Sequence, residues 1–229
     1  MDNLNKKSGF ILIDKPFGRS SHSIVWQLRR ITQIKKIGHA GTLDPRATGL
    51  LILAIGREAT KQISQFVKMD KEYVAEVFLG KTTSTYDSEG EITNEYQGEK
   101  IKRRAIRIAL KKFKGEQLQV PPMFSAKKVN GKKLYELARK DIEIERLPSK
   151  ITIYKIKILK YSWPKLSLRI YCSSGTYIRS IAYDLGQELG CGAYLSALRR
   201  TKIAKFKVSR AKKIDKVNEK NWQKYLFFK

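Results

Sequence analysis

Six apolar residues in unbroken succession, Leu50 to Ile55, constrain this chain more than any other stretch of it. A run of that length bounded by turn-forming residues reads as a buried strand. Directly before it lies Gly38-His39-Ala40-Gly41-Thr42-Leu43-Asp44-Pro45-Arg46-Ala47-Thr48-Gly49, whose glycines and proline disfavour regular structure. One carboxylate, Asp44, is thereby set on a loop next to a rigid element, and such a carboxylate is a candidate nucleophile. An isolated Asp-Pro pair commonly does no more than start a turn. His39, five residues earlier, and the small residues that let a ligand approach the backbone favour the functional reading.

The chain has 48 Lys and Arg against 21 Asp and Glu, a formal charge of +27. Solubility needs far less, so an anionic partner is expected, RNA or DNA ahead of an anionic membrane surface. No stretch approaches the length of a transmembrane helix, and Met1 to Ser8 lacks the apolar core of a signal peptide, so a cytoplasmic location is expected. The 229 residues suit one large domain or two small ones. Cys172 and Cys191 lie in apolar surroundings without a Cys-x-x-Cys pair and are expected to be buried, reduced thiols. With His22 and His39 the only histidines, no metal site is expected.

Hydrophobic periodicity predicts strands over 9–14, 50–55, 72–79, 117–120, 151–163 and 166–172. Helices are predicted over a segment capped by Ser20 or Ser21, with Ile24, Val25, Leu28 and Ile31 on one face, and over 58–68, 102–113 and 177–189. Tyr86 to Gly90 reads as a turn. Met123 to Arg146, with Lys127, Lys128, Lys132, Lys133, Arg139, Lys140 and a short helix near Leu134 to Ala138, reads as a basic flap over a groove. Strands and helices mix without βαβ repetition. The expected fold is therefore α+β, with a mixed, largely antiparallel central sheet flanked by helices and loops. Residues 200–229 carry eleven Lys or Arg against two acids and read as a basic surface.

Five blocks, in order, resemble the TruB-type tRNA pseudouridine-55 synthases. They are Ile13-Asp14-Lys15-Pro16 with Gly18 and Ser21; the Asp44 stretch running on to Gly56-Arg57-Glu58-Ala59-Thr60-Lys61; and Lys71, Tyr73 and Gly80 through Thr83-Ser84-Thr85-Tyr86-Asp87 to Gly90. The fourth is Gln119, Pro121-Pro122, Ser125-Ala126, Lys128, Gly131, Tyr135 and Ala138-Arg139. The last is Cys172, Gly175-Thr176-Tyr177-Ile178-Arg179, Asp184-Leu185-Gly186 and Leu198-Arg199-Arg200.

The resemblance implies the pseudouridine synthase fold with a thumb-like insertion over about 121–146. It also implies an enzyme that isomerises the T-loop uridine of transfer RNA. The reaction breaks a carbon-nitrogen glycosidic bond, turns the base and rejoins the ribose to C5, which needs no redox carrier, metal or cofactor. Asp44 is the catalytic carboxylate so implied, and Arg179 the cation that keeps it ionised in a water-poor pocket. Tyr73 would stack on the uracil and help remove the C5 proton; taken alone, it reads as a core aromatic on an alternating strand. His39 would fill the space of the flipped base. Tyr177 and Leu198 would line the pocket, Lys61 would hold RNA or order the Asp44 loop, and Lys127, Lys128, Lys132 and Lys133 would clamp the RNA.

Relatives commonly continue into a PUA-like domain. Here a catalytic domain over 1–206 is expected to be followed by a short basic segment over 207–229. A monomer without an obligate protein partner or a membrane is expected to act on the tRNA stem-loop. The alternatives are a non-catalytic tRNA-binding and folding chaperone and the catalytic subunit of a guide-RNA particle.

Overall fold

The structure, a computed structural model, describes residues 8–228 apart from 126, 127, 130, 139–141 and 143. In chain order the elements are β1 (Gly9–Lys15), α1 (Ser21–Thr32), β2 (Ile37–His39), β3 (Thr48–Ile55), α2 (Arg57–Lys61), α3 (Ser64–Val67), β4 (Lys71–Leu79), β5 (Lys81–Thr83) and β6 (Ile92–Glu95). Then follow α4 (Arg103–Lys112), β7 (Gly115–Gln119), β8 (Lys128–Val129), β9 (Lys132–Lys133), α5 (Leu134–Ala138), β10 (Ser149–Ser162) and β11 (Lys165–Cys172). The chain ends with α6 (Ile178–Glu188), β12 (Ala193–Ile203), β13 (Phe206–Lys207) and β14 (Lys212–Lys213), with short 3-10 turns after β13. It forms two compact units, residues 1–72 with 199–229 and residues 73–198, and crosses between them within β4 and within β12.

The first unit is built on β3. β1 pairs with it antiparallel from Gly9 opposite Ile55 to Lys15 opposite Gly49, and β2 pairs antiparallel through Ile37 to His39. Arg199 and Arg200 of β12 run parallel to Thr48 and Gly49, and β14 runs parallel to β1. Both faces of β3 are covered, which accounts for its unbroken apolar run. Leu51, Leu53 and Ile55 pack with Ile11, Ile13, the α1 face of Ile24, Val25 and Leu28, and Trp222. Leu50, Ile52 and Ala54 pack with Phe10, Ala59, Phe66 and Ile203. Ser20 caps α1, its hydroxyl accepting from the Ser23 amide at 3.0 Å.

In the second unit β10 is antiparallel to β11 and to β7, and β5 and β6 form a hairpin. α4 buries Ile106, Ala109 and Leu110 and packs against α6 and β10, while α6 buries Ile178, Ile181, Ala182 and Leu185. Cys172 and Cys191 are free and buried. The result is the expected α+β fold with largely antiparallel pairing.

Four expectations need correction. The helix predicted over 58–68 is two short helices, because Gln62 and Ile63 turn through i to i−3 bonds to Ala59 and Thr60. His39 ends a short strand instead of lying in the loop. The Tyr86 to Gly90 turn is present as expected, but it joins a β5–β6 hairpin that periodicity does not mark, because β5 is three residues long and all of β6 is exposed. Residues 193–203 form a long strand, and Arg200, assigned to a basic surface, is 1% exposed.

Candidate active site

Asp44 sits half-buried in a loop that the first unit clamps through backbone groups. The Asp44 carbonyl accepts from the Ala47 amide at 3.0 Å, closing a turn. One residue earlier, Leu43 exchanges two bonds with the Ser21 hydroxyl, accepting at 3.0 Å and donating at 2.8 Å. One residue later, the Pro45 carbonyl accepts from the Gly18 amide at 3.0 Å and from the Lys15 ammonium at 3.1 Å. Lys15 is fully buried and also donates to the Pro16 and Arg19 carbonyls. Burial pushes its pKa down to about 8 against the opposing attraction of Asp44, while Arg200 and Arg19 lower it further.

Arg200 clamps both ends of the loop. Its Nε donates to the Leu50 carbonyl at 2.7 Å and its Nη2 to the Gly41 carbonyl at 3.0 Å. Replacing it with methionine keeps much of the volume but leaves both carbonyls without these donors. The Arg200→Met variant should lose about 2–4 kcal/mol of stability in urea denaturation. A loss under about 0.5 kcal/mol would show that other groups hold the loop ends.

His39 stands in the same unit. Burial, then the charge of Arg200, then His22 lower its pKa below the usual imidazole value, and its buried Nδ1 has no hydrogen-bond partner among the described residues. The folded protein therefore takes up this proton less readily than the unfolded chain, so the contribution to stability is present above about pH 6.5 and lost as pH falls. The urea midpoint should drop from about pH 7.5 to about pH 5.5, with a shallower drop in His39→Asn. Equal slopes in both proteins would exclude His39 as a source of that dependence. Lys61, at the end of α2, pairs with Glu58 at 3.2 Å on an exposed surface.

The second unit holds the other proposed site residues. Tyr73 is 8% exposed and, with Ala75 and Val77, forms the buried face of β4. Tyr177 caps the start of α6, and the Gln119 side chain fixes it twice, accepting from its amide at 2.8 Å and donating to its carbonyl at 3.0 Å. Arg179, 6% exposed, donates to the Asp87 carboxylate at 3.2 Å and to the Phe124 carbonyl at 2.6 Å. Asp87 accepts further bonds from the Thr85 hydroxyl at 2.6 Å and the Glu89 amide at 3.0 Å. Leu198 lies half-buried on β12. Of the basic flap, Lys128, Lys132 and Lys133 lie on the β8–β9 hairpin, whereas Lys127, Arg139 and Lys140 lie outside the described residues.

Lys15, Ser21, Asp87, Gln119 and Arg200 are not among the site residues expected from the sequence, where Ser21 is only a candidate helix cap and Arg200 part of a basic surface, yet they are what position the candidate groups. One signal was available for Lys15. A two-residue period places it on the face of Ile11 and Ile13, where a charge must find partners.

Comparison with known proteins agrees with this architecture. Residues 29–178 match the TruB family pseudouridylate synthase (N terminal domain), and residues 179–226 match the tRNA pseudouridylate synthase B C-terminal domain. Among curated relatives, the tRNA pseudouridine synthase B of Protochlamydia amoebophila is 52% identical over 198 residues, covering 86% of this chain and 75% of the relative. That of Chlamydia abortus is 51% identical over 203 residues, covering 88% and 85%. Among solved structures, a Cbf5-Nop10-Gar1 complex contains a chain with a TM-score of 0.69 and 30% identity over 88% of this chain. An H/ACA RNP bound to a substrate RNA containing 2′-deoxyuridine gives 0.67 and 27% over 90%. The present chain spans about half the length of each of those two chains. Fold and sequence together define an isomerase of the pseudouridylate synthase class. The chain belongs to the TruB family.

Proposed function

We propose that this protein converts the T-loop uridine of transfer RNA to pseudouridine, with Asp44 as the catalytic carboxylate. The observation that carries the reading is the clamped loop. Backbone contacts at Gly41, Leu43, Pro45 and Leu50 hold its frame and thereby fix the position of Asp44. Relatives named tRNA pseudouridine synthase B, about half identical over most of the chain, support tRNA as the substrate. The +27 charge supports the affinity for it, since neutralising phosphates releases counterions.

In this reading the N1–C1′ bond of the uridine breaks while the base stays bound. The base turns, C5 bonds to C1′, the C5 proton leaves and N1 is protonated, so the atoms balance without a co-reactant. Arg179 would keep a carboxylate ionised, Tyr73 would stack on the base and assist C5 deprotonation, and His39 would occupy the stack that the flipped base leaves. Tyr177 and Leu198 would line an apolar pocket, while Lys61 and the lysines at 127, 128, 132 and 133 would contact RNA. The protein would act as a monomer. Identity near one half to relatives named tRNA pseudouridine synthase B, against 30% or less to the chains of the Cbf5-Nop10-Gar1 complex and the H/ACA RNP, favours action without a guide RNA.

The test is incubation with an unmodified tRNA transcript, without cofactor and with a chelator, followed by mapping of pseudouridine. Product at the T-loop uridine, and none when that uridine is replaced by cytidine, is the expected result. RNA binding without product would instead identify a chaperone.

A further inference from the structure

His22, Trp26 and Arg30 follow one another along α1 at four-residue spacing, with Arg19, Ser23 and Gln27 beside them. Residues four apart lie one above the other on a helix, so these side chains form a single strip. The strip walls an open groove of about 780 Å³ that Glu219 closes from the C-terminal segment. Trp26 is 57% exposed, and Phe17, on the turn leading into α1, is 64% exposed. The Arg30 guanidinium carbon lies 5.9 Å from the centre of the Trp26 ring, and Arg19 Nη2 donates to Gln27 Oε1 at 3.0 Å. Neither arginine has a carboxylate partner among the described residues, so both keep their charge available.

One end of the groove, at Arg19, is tied to the Asp44 loop through the backbone. The turn carrying Phe17 and Arg19 is tied to Pro45 through the Gly18 amide and through Lys15, which binds the Arg19 and Pro45 carbonyls together. His22 lies near enough to His39 to lower its pKa. An exposed aromatic ring beside cations that have no carboxylate partner among the described residues, in a groove whose end at Arg19 is tied to the proposed catalytic loop, has the chemistry of a single-stranded nucleic-acid track.

We propose that the α1 groove is a second RNA subsite, holding nucleotides that flank the target uridine, with a base stacked on Trp26 and phosphates on Arg19 and Arg30. The proposal rests on the RNA-substrate reading given above. Stacking on Trp26 supplies affinity with little sequence preference, and the arginines supply its salt dependence. The groove adds to RNA affinity and leaves the chemical step to the Asp44 loop.

The test titrates the full chain, Trp26→Ala, Trp26→Phe and Arg30→Ala with an unmodified tRNA transcript across a salt series, and measures pseudouridine formation on the same RNA. Trp26→Ala should weaken binding about tenfold, with Trp26→Phe close to the parent. Arg30→Ala should reduce the slope of log affinity against log salt by about one. At saturating RNA, kcat should stay at the parental value in all three. Affinities within about twofold of the parent, with an unchanged slope, overturn the proposal, and pseudouridine still formed in that case leaves the enzymatic reading intact. Weakened variants of a parent that forms no pseudouridine overturn the enzymatic reading and sustain the groove.

Discussion

Asp44→Asn should lower the rate of pseudouridine formation by roughly 10⁴-fold or more while leaving tRNA affinity within about threefold of the parent. Asparagine has nearly the shape of aspartate but no negative charge, so it supplies neither a nucleophile nor a base. The contacts that hold the loop survive, because they run from Ser21, Gly18, Lys15 and Arg200 to backbone atoms of residues 41, 43, 45 and 50. Single-turnover measurement with mapping of the product separates the chemical step from binding. A variant retaining a tenth or more of the parental rate would move the catalytic role to another group. A second readout follows from Lys15. Asp44 is the group that raises the Lys15 pKa against burial, so removing its charge should let that amine fall below its value of about 8.

Gly49→Ala should be the most damaging single methyl group in the first unit. Gly49 has φ +104°, where an L side chain is strained, and its added Cβ would stand 2.3 Å from the Arg200 carbonyl oxygen and 2.8 Å from the Arg200 nitrogen. Those atoms are backbone and have no rotamer by which to escape. Gly49 is paired with Lys15 on one side and Arg200 on the other, so relief means opening β3 from β12. A loss of more than about 3 kcal/mol, with Tm falling by about 10 °C, is expected. The same displacement should loosen Arg200 from Leu50 and lower isomerisation beyond the loss of folded protein. A Tm within about 2 °C of the parent would mean that the strand pair yields without cost.

Much of the architecture was legible because burial imposes a period. β1, α1, α4 and α6 carry their apolar residues at spacings that match one face, and β3 needs no period because both its faces are covered. β12 escaped because Tyr194, Ser196, Arg199, Arg200 and Lys202 interrupt any alternation. β6 escaped because its exposed residues, Ile92 to Glu95, answer to no core.

The candidate chemistry follows the same division. Sequence alone determined which functional groups exist and where a rigid strand meets an irregular loop, because Asp44 stands directly before an unbroken apolar run, while Arg179 and Tyr73 stand out only through the family resemblance. Tertiary structure alone decided what secures them, namely Lys15, Ser21 and Arg200 around the Asp44 loop, Asp87 on Arg179 and Gln119 on Tyr177. The reason is physical. Most of these partners bind backbone carbonyls and amides, which are alike at nearly every position, so which of them need a partner is set by the path of the folded chain.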